Sequence, residues 1–292
     1  MTTNNKQVKY LLPSVDIDMG GFSVKQPMPT QKIQQVDPFL LLHHARTKYS
    51  NRRPARHQGI GPHPHRGFSP VTFVVEGEVH HRDSWGHNQI AKQGEVQWIH
   101  AGAGIVHSER PSEALIESNG HQEIIQLWIN SPASKKMTPP AYYYVPKEIM
   151  TTFSTEDKKV SSKLIVGDYD NYKGKITPQS ELLIIWSEGE KGGAQKLTIP
   201  NGYSSMLYLI KGDIHIKGYG LVEKEHLAVF DNEEGDLEIT FKEKGQFLLL
   251  CGLPIDEKVS QSGPYVMNSQ TEILEAIRDY QMGKMGILIE ED

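Results

Sequence analysis

Two flanking motifs decide the reading of this chain: His63-Pro64-His65-Arg66-Gly67-Phe68 and, some forty residues on, Ala101-Gly102-Ala103-Gly104-Ile105-Val106-His107-Ser108-Glu109. Between them lie short apolar runs separated by turn signals. Val71 to Val75 stops at Glu76-Gly77, and Val79 to Arg82 runs into Asp83-Ser84-Trp85-Gly86. Gln89 to Ala91 ends near Gly94, and Val96 to Ile99 ends before Ala101-Gly102. Short β-branched segments at close, regular spacing predict an antiparallel sandwich or barrel. Side chains two residues apart on a strand share a face. His63 with His65, and His107 with Glu109, are therefore each delivered to one side, and two facing strands bring all four together. Three imidazoles and a carboxylate suit a borderline divalent ion (iron, nickel, copper, zinc, manganese or cobalt) better than calcium or magnesium. Four protein ligands also leave room for water, substrate or oxygen in an octahedral sphere. A single H-x-H is common on solvent-facing strands. The weight falls on two such pairs, each beside glycines (Gly59, Gly61 and Gly67; Gly102 and Gly104) that permit sharp turns or close backbone approach.

Outward from this stretch, Ile124 to Ile129 is a further strand, and Ser131 to Pro140 is polar, basic and proline-containing, which reads as a linker. Strand signals resume at Lys163–Val166, Leu182–Trp186, Gln195–Ile199, Ser205–Ile210, Ile214–Ile216, Leu237–Phe241 and Phe247–Leu250. The expected organisation is all-β, with two barrels of similar size: 1–135 carrying the metal site, and 136–292 without metal, ending in a helix near 269–283. For that helix, Ser269-Gln270-Thr271-Glu272 fits a capping box, Ile273, Ile277 and Tyr280 share a face, and Gly283 sits at the C-cap.

A net charge of -5 gives no basic footprint for nucleic acid. No apolar run approaches the roughly 20 residues of a membrane helix. The first sixteen residues lack the apolar core and cleavage site of a signal peptide, so a cytoplasmic protein is expected. The one cysteine, Cys251, lies in an apolar run and reads as a packed structural residue with no disulfide partner.

The two motifs, together with Glu76-Gly77-Glu78-Val79, His81-Arg82-Asp83-Ser84 and Gly94-Glu95-Val96-Gln97-Trp98, closely resemble the pirin family of bicupins. The resemblance extends to Val36-Asp37-Pro38-Phe39-Leu40-Leu41-Leu42 upstream. Downstream it reaches Lys136-Met137-Thr138-Pro139-Pro140 and Gly263-Pro264-Tyr265-Val266-Met267-Asn268. It implies two cupin barrels face to face, with metal, usually iron, only in the first, on the positions matching His63, His65, His107 and Glu109. The second half, with only His215 and His226 and no H-x-H, agrees with an empty barrel. Two departures stand near the site: Ser69-Pro70 replaces the usual Glu-Thr, and His100 replaces the usual Thr before Ala-Gly. Both imply an altered pocket wall.

The resemblance implies one of two functions. As a quercetin 2,3-dioxygenase the chain would cleave a flavonol with O2 and release carbon monoxide, Glu109 being the catalytic base. As an iron-dependent, redox-sensing regulator it would bind a protein partner without catalysis. A metal that only stabilises the fold is a third reading. Among the remaining histidines, His81 matches the family pattern and is expected to hydrogen-bond behind the ligands. His43, His44, His57, His87 and His121 are expected on the surface or in loops. Arg66 suits an acidic group or a structural ion pair, Trp98 the core, and the Glu290-Glu291-Asp292 tail solvent.

Overall fold

The computed structural model describes residues 5–20 and 23–290. In chain order, the elements up to the middle of the chain are β1 (Val8–Pro13), β2 (Val15–Asp18), β3 (Ser23–Met28), β4 (Phe39–Lys48), β5 (Ile60–His65) and β6 (Phe68–Glu76). They continue with β7 (Glu78–Asp83), β8 (Asn88–Lys92), β9 (Val96–His100), β10 (Ile105–Arg110), β11 (His121–Asn130) and β12 (Ala141–Val145). The apolar runs between turn signals form the expected short strands, and the only long helix among the described residues is Gln270–Gln281. No helix there is long and apolar enough to cross a membrane.

The chain forms two compact units, each drawing on segments distant in sequence. One comprises Ile17–Val24, Phe39–Glu148 and Ile255–Asp292; the other comprises Met1–Asp16, Lys25–Pro38 and Ile149–Pro254. Where a single cut at 135/136 was expected, the segments interleave, and the helix Gln270–Gln281 packs with the strands that carry the histidines. The reason is long-range: Val106 on β10 shares an apolar cluster with Tyr265, Met267, Ile273, Ala276 and Met285.

In the histidine-bearing unit, β12-β9-β6-β11-β4 run consecutively through a large sheet, and β5-β10-β7-β8 form a smaller one. Every pairing among these strands is antiparallel. β6 sits between β9 and β11, so both its edges are paired. Phe68 to Val75 is buried throughout, as a central strand covered on both faces requires. Fully burying Val71, Phe73 and Val74 contributes roughly 1.5–3 kcal/mol each, which holds the sheet that carries the site.

Gly67 and Gly102 do what the sequence assigned to them. Both have positive φ, +84° and +49°. A Cβ on Gly67 would collide with the Val266 carbonyl oxygen, and one on Gly102 with that of Thr138. The Gly67 N–H donates to the Gly102 carbonyl at 3.0 Å, which closes the turns carrying both motifs.

The polar stretch read as a linker is built into this unit. It contains the short helix Ala133–Lys136, and Lys136 is 1% exposed. Its ammonium donates to Gly67 O and Asn130 Oδ1 at 2.7 Å each and to Val266 O at 3.0 Å. Burial pushes its pKa down to about 8. Three donors meet three acceptors, which is why a lysine is tolerated there. Lys136→Met should strand all three and destabilise this unit by about 3 kcal/mol. Urea unfolding checks this; an unchanged midpoint would contradict it.

The other unit is an all-β body of a seven-stranded and a four-stranded sheet. Its interior is filled by side chains from both, among them Leu183, Ile185, Leu207, Leu249, Ile214 and Phe241. Cys251 is buried in that core, where burial pushes its thiol pKa up, as suits a packed structural cysteine. His215 lies on the strand Ile214–Ile216 of the smaller sheet and His226 on His226–Phe230 of the larger.

The helix Gln270–Gln281 begins as the sequence indicated. Ser269 caps it by accepting from the Glu272 N–H, and Glu272 returns a carboxylate oxygen to the Asn268 N–H at 3.0 Å.

Candidate metal centre

β5 and β10 are adjacent antiparallel strands with His107 directly opposite His63 and Ile105 opposite His65. An irregularity in β5 between His63 and Ile60 leaves Glu109 opposite Ile60. The two H-x-H-type pairs are thus neighbours on one sheet, not partners across a barrel as the sequence suggested. Strand alternation still aims them to one side.

Ligand atoms of His63, His65 and His107 all lie within 4.8 Å of one another. The His63 and His65 Nε2 atoms are 3.1 Å apart, and the ring centroids are 4.3 Å (His63–His107) and 4.8 Å (His65–His107) apart. His63 donates its Nδ1–H to the Gly61 carbonyl at 2.8 Å, which leaves its Nε2 lone pair for the centre. Phe68 and Trp128 wall the His65 ring edge-to-face at 5.1 and 5.5 Å. Burial, reinforced by the neighbouring imidazoles, holds His65 and His107 well below the usual histidine pKa. Both are therefore neutral at physiological pH, the form that binds metal.

The fit of a metal can be tested on the geometry. The His107 Nε2 atom is buried with no hydrogen-bond partner. An orphaned buried polar atom costs about 1–3 kcal/mol, and one within a converging imidazole cluster is satisfied by a cation. Three neutral imidazoles also form a donor set suited to a divalent transition metal. The residues fit.

Glu109, the fourth expected ligand, is not part of the imidazole group. Its Oε1 accepts from the Thr72 hydroxyl at 2.9 Å, and Thr72 also lies 2.9 Å from Gln126 Oε1. Glu109 also borders a cavity of 310 Å³. Met19, Val24, Ala45, Ile60, Val79 and Ile124 give this cavity apolar walls, while Tyr49, Gln122 and Thr47 supply polar groups. Tyr49 donates its hydroxyl to Gln122 at 3.0 Å. Burial, then the Glu109 charge, pushes the Tyr49 pKa up to about 12, so it remains a neutral donor. The carboxylate stands at an apolar pocket on one side and on the ligand strand on the other.

The register also exposes what the sequence reading missed. His43 lies opposite Gln126, Gln126 opposite Thr72, and Thr72 opposite Gln97. This forms a row across the sheet on the face that meets Glu109. His43 and His44 were expected on the surface; they are 8% and 1% exposed. Burial lowers the His43 pKa to about 4. His44 Nε2 lies 2.8 Å from Glu123, which also accepts from Arg46 Nε at 3.0 Å. The continuous apolar run Phe39-Leu40-Leu41-Leu42 ahead of His43-His44 was the available signal, because both residues continue a strand buried on its two faces.

Strand alternation puts Phe68, Pro70 and Thr72 on the site's face of β6 and Ser69 on the other. Ser69 Oγ is 2.8 Å from His100 Nδ1, and Trp98 Nε1 donates to the same nitrogen at 3.2 Å. Ser69 and His100 are therefore one buried pair on the face turned away from the site, whereas Pro70, the other half of the first departure, stands on the site's face. Arg66 is structural: it donates to Ala103 O at 2.6 Å and pairs with Asp279 at 3.1 Å. Glu290 is not solvated but holds Arg110 through both carboxylate oxygens, at 3.2 and 2.7 Å; the rest of that tail lies outside the described residues.

Residues 21–129 match the family described as Pirin, and residues 187–286 match that described as Pirin C-terminal cupin domain. Pirin-1 of Arabidopsis thaliana is 34% identical over 288 residues, covering 96% of this chain and 94% of its own. A crystal structure of quercetin 2,3-dioxygenase from Acinetobacter baumannii superposes with a TM-score of 0.90. It is 32% identical and covers 98% of this chain and 100% of that one. The bacterial pirin YhhW of Escherichia coli, solved with nickel(II), shares the fold at a TM-score of 0.66. It is 20% identical and covers 84% of this chain and 99% of that one.

Proposed function

This chain belongs to the pirin family of two-cupin proteins, and from that premise we propose that it is a metal-dependent dioxygenase that opens the heterocycle of a flavonol. O2 is consumed and carbon monoxide released. The observation that carries the reading is a three-imidazole cluster, two of its rings buried, with His107 on the strand whose Glu109 carboxylate lines an apolar cavity.

His63, His65 and His107 would hold the ion, with Glu109, two residues from His107 on the same face of β10, as the fourth ligand through the oxygen not bonded to Thr72; Fe(II) is the first candidate and nickel, copper, zinc, manganese or cobalt the alternatives. A divalent ion there supplies Lewis acidity and holds substrate and oxygen together. The remaining chemistry falls to the chain. The walls from Met19, Val24, Ala45, Ile60, Val79 and Ile124 bury the planar aromatic system and exclude water. The Tyr49 hydroxyl is committed to Gln122 Oε1, so the oxygens of both residues offer acceptors for ring hydroxyls. Glu109 accepts the proton of the flavonol 3-hydroxyl, and the Thr72 hydroxyl on its Oε1 holds it in place.

Glu109→Gln should lower turnover by about 100-fold or more, the usual value of a positioned base. Steady-state flavonol loss on metal-loaded protein reads this out, and wild-type turnover would remove Glu109 as the base. The second reading, an iron-dependent regulator binding a protein partner, uses the same imidazole cluster. It differs in requiring metal-dependent capture of a partner with no turnover.

A further inference from the structure

Each imidazole of the cluster can offer its Nε2 lone pair only if its Nδ1 carries the proton. His63 meets this condition through the backbone, by donating to Gly61 O. His107 meets it through side chains alone. Its Nδ1 lies 3.4 Å from His81 Nδ1, and His81 Nε2 lies 2.9 Å from Asp83 Oδ2. Asp83, fully buried at its side chain, also takes His87 Nδ1 on Oδ2 at 2.8 Å. Its Oδ1 accepts from the backbone N–H of Trp85 at 2.9 Å and of His87 at 3.0 Å.

Every partner of Asp83 is a donor, so its carboxylate only accepts. The proton between Asp83 and His81 therefore sits on His81 Nε2. In the neutral His81 ring the Nδ1 is then an acceptor, and the proton between the two rings sits on His107 Nδ1. Tyr142 fixes the plane of the intermediate ring by stacking on His81 at 4.3 Å and 9°.

We propose that Asp83 and His81 are positioning residues for the metal. The buried carboxylate dictates the tautomer of His81, which dictates that of His107 and leaves its Nε2 lone pair on the imidazole cluster. This rests on the reading of that cluster as a metal centre. A carboxylate acting through one imidazole also makes the ligand imidazole a stronger donor. Of the two ligands with a defined partner behind them, His107 is the one whose tautomer depends on side chains.

The first test needs no metal. Long-range 1H–15N correlation spectra of the metal-free protein should show His107 protonated at Nδ1 and bare at Nε2, with His81 protonated at Nε2. The opposite tautomer on either ring overturns the proposal. The second test is Asp83→Asn, with His87→Ala as a control that spares the His81 contact. Chelator competition with Co(II) should give about 10–100-fold weaker binding for Asp83→Asn and binding within about threefold of wild type for the control. The Co(II) absorption bands should shift only in Asp83→Asn. Wild-type affinity and spectrum in a folded Asp83→Asn protein would overturn the relay. Failure of the wild-type protein to bind Co(II) would instead overturn the metal-centre reading. If Asp83→Asn does not fold, His81→Gln gives the same comparison, and the tautomer measurement stands independently.

Discussion

His107→Ala is expected to reduce divalent-metal affinity by more than about 100-fold and to take turnover to background. Groups standing behind metal ligands are already worth about 10–100-fold, and His107 is one of only three imidazoles in the cluster. Stability should move far less. The ring is buried and its removal leaves a cavity, a cost of the usual large-to-small kind. Against that, the substitution removes an Nε2 that is buried without a partner, a penalty of about 1–3 kcal/mol in the metal-free protein. The two nearly cancel, so metal-free His107→Ala should unfold within about 2 kcal/mol of metal-free wild type. Only the wild type should be stabilised by added metal. Thermal unfolding with and without metal checks both points. An alanine variant stabilised by metal as strongly as wild type would exclude His107 as a ligand.

Gly67→Ala is expected to have the largest effect on stability, about 3–5 kcal/mol. Gly67 has φ +84°, a region that costs a residue with a Cβ roughly 1–2 kcal/mol. The added methyl would also collide with the Val266 backbone carbonyl, which cannot move freely. That oxygen and the Gly67 oxygen are both acceptors for the buried Lys136 ammonium. Displacing the turn therefore disturbs two hydrogen bonds of one buried ammonium at once, and large losses arise from such coupled sites. The turn lies two residues from His65, so metal binding should weaken as well. Unfolding of the histidine-bearing unit should fall by about 10 °C; a shift of one or two degrees would show that the turn relaxes without cost.

What was legible in the sequence was what local periodicity controls. Alternation on β5 and β10 placed the imidazoles on one side, and the capping box located the start of the final helix to the residue. The misread parts depend on partners far away in the chain. His43 and His44 are polar residues made tolerable inside the sheet by β11, some eighty residues on. Lys136 reads as a linker lysine because its three acceptors come from three separate segments. Glu109 shares the face of His107, as alternation requires. Its contact with Thr72 depends on how the two sheets meet, which no local pattern encodes. Ser69 and His100 stood out as departures from the family pattern, but only the pairing of β6 with β9 shows that they answer each other.

The measurement that tests the central claim most directly is reconstitution of the protein with Fe(II) under anaerobic conditions, followed by admission of O2 with quercetin present. Metal-dependent quercetin loss with stoichiometric carbon monoxide, absent in His107→Ala, is the expected result. No quercetin loss by protein shown to hold iron would contradict it and leave the metal centre to a regulatory role.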